Sequence, residues 1–117
     1  MSGKRILLVD DEASVAEAVR LVLDMDRHEI DFVDDPLEAL ARYQPGKYDL
    51  VLTDNRMDNL SGVELAQKIK CLDPEQPILL LTGFPPPGPT PAVDLVMRKP
   101  FSGDELRRAV AELTEHP

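Results

Sequence analysis

An alternating α/β domain on a parallel sheet is the fold class this 117-residue sequence predicts. Two observations carry that reading. Short apolar runs of β type alternate with segments of helical period along the whole chain, the pattern of successive βαβ units. The strand-like runs also end in functional side chains: Arg5-Ile-Leu-Leu-Val9 reaches Asp10 and Asp11, Asp49-Leu-Val-Leu-Thr-Asp54 ends on a carboxylate, Pro77-Ile-Leu-Leu-Leu81 reaches Thr82, and Asp94-Leu-Val-Met97 leads to Arg98-Lys99-Pro100. In an open parallel sheet the binding crevice lies outside the carboxyl ends of the strands, so these tips are expected to bring three carboxylates, one hydroxyl and one ammonium into one pocket.

Each element has its own signal. After the first strand, Val15, Val19, Val22 and Leu23 recur at helical spacing and predict a helix over residues 12–25. Glu29 to Val33 reads as a short second strand. Asp35-Pro36-Leu37-Glu38 supplies an N-cap, a first-turn proline and a glutamate three residues on, so a second helix starts there and runs to about Tyr43, before Pro45 and Gly46. Ser61-Gly-Val-Glu64 and Ser102-Gly-Asp-Glu105 read as capping boxes. They open helices whose core faces are Val63, Leu65, Ala66 and Ile69, and Leu106, Ala109, Val110 and Leu113. Between the fourth and fifth strands, Gly83 to Pro91 holds five prolines in nine residues. Proline removes backbone donors and clashes with a helix interior, so any helix here can only be a short one after Pro91.

The bulk numbers restrict the function classes. Residues 1–117 form one domain, large enough for a core without metals or disulfides. The formal charge of −9 argues against a duplex nucleic-acid surface, which needs clustered Lys and Arg. Cys71 stands alone, which excludes an internal disulfide and suits a reducing cytoplasm; as small apolar filler it fits a helix. Apolar runs fall far short of the roughly 20 residues a membrane span needs, and no apolar signal region opens the chain. A cytoplasmic location without membrane insertion is expected. His28 and His116 have no ligand spacing and read as surface residues, while Met57 and Phe101 read as packing beside the pocket.

Taken singly, the tips have bland explanations. Asp10-Asp11 can cap a helix, Asp54 a turn, Thr82 can be a satisfied strand-end hydroxyl, and Lys99 a solvated charge. Together, and in this order, they resemble the receiver domain of bacterial two-component response regulators. The motifs are the acidic pair Asp10-Asp11, Asp54 in D-x-x-M with Ser61-Gly62 downstream, Thr82, and Lys99-Pro100-Phe101, and the resemblance covers essentially the whole chain. It implies a flavodoxin-like doubly wound sheet of five strands in order 2-1-3-4-5, here with a shortened or irregular fourth helix.

The resemblance also implies roles. Asp54 is the phosphoacceptor, a nucleophile that is ionised at neutral pH and yields an acyl phosphate. Asp10, Asp11, Asp54 and the backbone carbonyl of Arg56 hold Mg²⁺, a hard cation that takes oxygen ligands. Lys99 pairs with a phosphoryl oxygen as a point charge, Thr82 hydrogen-bonds another, and Lys99-Pro100 matches the family's cis peptide. The implied donor is a sensor histidine kinase or a histidine phosphotransfer protein. The implied readers are a downstream protein partner or a separate output domain, with no direct nucleic-acid binding. The chain is then not an enzyme but a signalling phosphoacceptor that assists its own phosphorylation and dephosphorylation.

Three departures stand out. Asp58 follows Met57 where the family usually has proline, the segment between Thr82 and Lys99 is short and proline-filled, and Val96 replaces the aromatic switch residue three positions before the lysine. The readout is therefore expected in the Phe84 to Pro91 loop. A non-phosphorylated pseudo-receiver acting as an interaction scaffold is the alternative. A haloacid-dehalogenase-type phosphatase needs an aspartate where Arg56 stands, and a flavin binder needs a Ser/Thr-rich phosphate loop that does not follow the first strand.

Overall fold

The computed structural model describes residues 3–115, so His116 lies outside the described residues. Nine elements follow one another: β1 (Arg5–Val9), α1 (Ala13–Asp24), β2 (Glu29–Val33), α2 (Pro36–Arg42), β3 (Leu50–Asp54), α3 (Gly62–Leu72), β4 (Ile78–Thr82), β5 (Leu95–Arg98) and α4 (Gly103–Thr114). The strands form one parallel sheet in the order β2-β1-β3-β4-β5, as expected.

Helices cover both faces of that sheet. Ile6, Leu8, Leu50, Leu52, Leu79 and Leu81 pack with α1 and α4 on one side. Leu7, Val9, Val51 and Ile78 pack with α2 and α3 on the other. Strands β3 and β4 are buried along their whole length, which explains their unbroken apolar runs; alternation is lost when both faces meet helices. Met57 and Phe101 are partly buried against these clusters, in their expected packing roles.

Local chemistry sets the helix starts. At α3, the Ser61 hydroxyl accepts the Glu64 N–H and the Glu64 carboxylate accepts the Ser61 N–H; Ser102 and Glu105 repeat the arrangement at α4. At α2, Asp35 caps Leu37 N–H with Pro36 in the first turn, but Glu38 turns to Arg42 instead of closing a box.

Three expectations need correction. No helix forms between β4 and β5. The prolines remove the donors a helix needs, and the Asp94 carboxylate, which accepts from Ile78 N–H at 2.7 Å and Lys70 Nζ at 3.0 Å, fixes the chain again just before β5. What remains is a single turn, Val93 N–H to Thr90 carbonyl, with Ala92 and Val93 packed against the core. Cys71 is exposed on α3 rather than filling the core. His28 is half-buried rather than on the surface: its Nδ1 accepts the Lys4 N–H at 2.9 Å, and desolvation holds its pKa below the ordinary value.

Candidate functional site

The carboxyl ends of β1, β3, β4 and β5 meet at one edge of the sheet, and three polar side chains there are buried. Asp10 is 1% exposed, Thr82 1% and Asp54 6%. Burial of ionisable groups is costly unless something compensates it, so their gathering calls for a chemical reason. Lys99 supplies part of the compensation, with Nζ 3.5 Å from Asp54 Oδ1. Its backbone is tied to β4, because the Lys99 N–H donates to the Thr82 carbonyl at 2.9 Å; the Lys99-Pro100 peptide that follows is cis.

Asp54 is fixed by its own loop. Asn55 N–H donates to Asp54 Oδ1 at 2.8 Å, and the Thr53 hydroxyl donates to the Asp54 carbonyl at 2.8 Å. Asn55 then ties this loop to the start of α3: its carbonyl accepts the Gly62 N–H and its side-chain oxygen the Val63 N–H. Gly62 allows that approach, since a Cβ there would lie 2.2 Å from the Asp54 carbonyl oxygen.

Opposite Asp54, Asp10 Oδ1 accepts the Glu12 N–H at 2.9 Å. Carboxylate oxygens of Asp10, Glu12 and Asp54 all lie within 4.8 Å of one another, with Lys99 beside them. This hard, all-oxygen, anionic donor set suits a divalent cation such as Mg²⁺. Asp11 is the residue expected in this role from the family resemblance. In the structure Asp11 is exposed and lines the adjoining cleft with Arg56, Met57 and Asp58, while Glu12 completes the close group. The signal for Glu12 was the third acid of the run Asp10-Asp11-Glu12. Arg56, whose carbonyl is the expected fourth ligand, borders the same cleft as Asp11.

Burial is the largest influence on Asp10 and raises its pKa to about 6; the Glu12 N–H opposes this, the Asp54 charge adds to it, Lys99 opposes it, and Asp11 adds a little more. Because the folded pKa lies above the unfolded one, the carboxyl's stabilising contribution is full below about pH 4 and is lost as pH rises through about 6. Allowing for screening by water, its size is on the order of 2 kcal/mol. Without divalent cation, the melting temperature of Asp10→Asn relative to wild type is expected to rise between about pH 4 and pH 6. A pH-independent difference in differential scanning calorimetry would contradict this. Adding Mg²⁺ at neutral pH is expected to stabilise wild type more than Asp10→Asn, since a bound cation removes the repulsion.

The Thr82 hydroxyl is hydrogen-bonded to the next loop. It accepts the Phe84 N–H at 3.1 Å and donates to the Phe84 carbonyl at 3.2 Å. Phe84 opens the loop in which the readout is expected, but its bonds to Thr82, like the ties Asn55 makes to α3, leave no periodic trace in the sequence.

Comparison with known proteins agrees with this geometry. A model of the response regulator receiver domain family matches residues 6–111. The transcriptional regulatory protein DltR of Streptococcus agalactiae is 33% identical over 107 residues, covering 87% of this chain but 48% of its own length, so the chain spans about half of that relative. The response regulator receiver protein CpdR of Brucella abortus is 31% identical over 115 residues, covering 94% of this chain and 93% of its own. Among solved structures, the response regulator TrrA of Thermotoga maritima, in complex with Mg²⁺ and BeF, superposes with a TM-score of 0.87 at 36% identity, covering 94% of this chain and 98% of that one. Among the described residues, no helix is long and apolar enough to cross a membrane.

Proposed function

Since this chain belongs to the response regulator receiver domain family, we propose that it is the phosphoacceptor of a two-component phosphorelay, with Asp54 receiving a phosphoryl group from a sensor histidine kinase or histidine phosphotransfer protein. One observation carries the reading: Asp54 is a buried carboxylate held at a strand tip with an ammonium 3.5 Å away and two further carboxylates within 4.8 Å. Asn55 and the Gly62 approach hold that carboxylate in place before any donor arrives, so little reorganisation is needed at the moment of transfer.

Asp10, Glu12 and Asp54, with Asp11 and the Arg56 carbonyl at the cleft, are the groups that would hold Mg²⁺. Bound there, the cation would neutralise negative charge where an anionic donor meets an anionic acceptor. Lys99 neutralises charge from the β5 side, and its contact with Asp54 would be shared with a phosphoryl oxygen. Thr82 supplies a hydroxyl at the tip of β4 for another oxygen. The chain is thereby a signalling module that assists transfer to and from its own side chain, rather than an enzyme turning over a separate substrate. A downstream protein or an attached output domain reads the state, and the site lies in the cytoplasm, where the donors are.

The test is intact-mass spectrometry after incubation with acetyl phosphate. A single phosphoryl adduct is expected with Mg²⁺ and its loss with a chelator. A chain that gains no adduct from acetyl phosphate or from a phosphorylated phosphotransfer protein would act as an interaction scaffold instead.

A further inference from the structure

We propose that Arg56 and Phe84 are positioning residues of the acceptor site, forming a clasp that holds the Thr82 hydroxyl on the loop after β4 until a phosphoryl group draws it away. The proposal rests on Asp54 being the acceptor and adds what controls the hydroxyl. Phe84 is 66% exposed, yet it is gripped from two sides. Its backbone N–H and carbonyl both bond the Thr82 hydroxyl, and the Arg56 guanidinium carbon sits 4.4 Å from the centre of its ring. Arg56 lies two residues beyond Asp54 and Phe84 two residues beyond Thr82. Since β3 and β4 are neighbours, with Asp54 paired to Leu81, the stack ties together the loops that carry acceptor and hydroxyl.

The chain behind Phe84 is stiff. Pro85, Pro86 and Pro87 have φ fixed by their rings, and Phe84, Pro85 and Pro86, each followed by a proline, are biased toward extended backbone. Few torsions are left to relax.

A hydroxyl has a single proton. While Thr82 gives it to the Phe84 carbonyl, that proton is not available to a phosphoryl oxygen, so engagement of a phosphoryl group breaks this bond. A phosphoryl charge of about −2 also competes for Arg56, because a charge-assisted hydrogen bond exceeds an exposed cation–π contact. Both changes release Phe84 and the proline segment. Val96, small and β-branched on β5, has no ring to swing. The aromatic residue that reports the state of the site therefore sits after β4.

The test uses beryllofluoride with Mg²⁺ as the probe on the purified chain. Phe84→Ala removes the ring and weakens the competing contact, so beryllofluoride affinity is expected to rise roughly two- to fivefold. In an Arg56→Ala background the same substitution is expected to give less than about a twofold gain, because the clasp is already open. By NMR, the Arg56 side-chain protons over the ring are expected upfield in the free protein and downfield once the probe binds. Unchanged or weaker affinity in Phe84→Ala, equal gains in both backgrounds, or an upfield shift that persists in the bound state would each overturn the clasp. A wild-type chain that takes up no beryllofluoride overturns the acceptor reading itself.

Discussion

Asp54→Asn incubated with acetyl phosphate and Mg²⁺ is expected to show no phosphoryl adduct, against one adduct in the wild type. The amide has no ionised oxygen to attack phosphorus, and the substitution leaves the site's shape almost unchanged, so the effect is close to all-or-none. Misfolding is not the cause expected. Carboxylate oxygens of Asp54, Asp10 and Glu12 lie within 4.8 Å of one another, and removing the Asp54 charge lowers repulsion among these acids, two of them buried. The Asp54 charge is one of the influences that raise Asp10, so the Asp10 carboxyl should titrate at lower pH in Asp54→Asn than in wild type, as followed by carboxyl-carbon NMR. Persistence of the adduct would place the acceptor elsewhere, with the remaining carboxylates of the cleft as first candidates.

Gly62→Ala is expected to be strongly destabilising and Gly103→Ala harmless, although both glycines occupy the same place in a Ser-Gly-x-Glu capping box. A Cβ at Gly62 would lie 2.2 Å from the Asp54 carbonyl oxygen, 2.7 Å from Leu80 Cδ1 and 3.0 Å from Asn55 Cα. Two of those three are backbone atoms that cannot step aside without moving the acceptor loop. The cost is about 3 kcal/mol, a fall in melting temperature of roughly 10–20 °C. At Gly103 a Cβ meets only Val22 methyl carbons, at 3.4 and 3.6 Å, and alanine is the better helix former; stability is expected to hold or rise slightly. Equal thermal midpoints for the two variants would show that α3 can slide away from Asp54. The folded fraction of Gly62→Ala should also phosphorylate more slowly, because Asn55 and Asp54 are displaced together.

Much of the fold was legible because its signals are local. The two capping boxes, the Pro36 start of α2 and the unbroken apolar runs of β3 and β4 each reflect a preference that operates within a few residues, and the structure keeps them all. The missing helix between β4 and β5 was half legible. Proline density excludes a helix through residue 91, but the anchoring of Asp94 by Ile78 and Lys70, which leaves no room for one afterwards, depends on a neighbouring strand and on α3. Cys71 shows the limit of periodicity: its place on a helix was readable, its exposed face was not.

By itself the sequence determined which side chains end each strand, and parallel topology then obliges Asp10, Asp54, Thr82 and Lys99 to share one edge of the sheet. It could not decide how those side chains are turned, because that depends on atoms brought together from distant segments. Only the tertiary structure decided that Glu12 rather than Asp11 joins the close carboxylate group, that burial lifts Asp10 to about 6, and that Thr82 bonds Phe84. It likewise separated two glycines in the same capping motif, one against the acceptor's backbone and one beside yielding methyl groups. The physical reason is common to all four. Strand and helix preferences act along the chain, whereas desolvation, close approach and hydrogen-bond direction are set by what packing places across the gap.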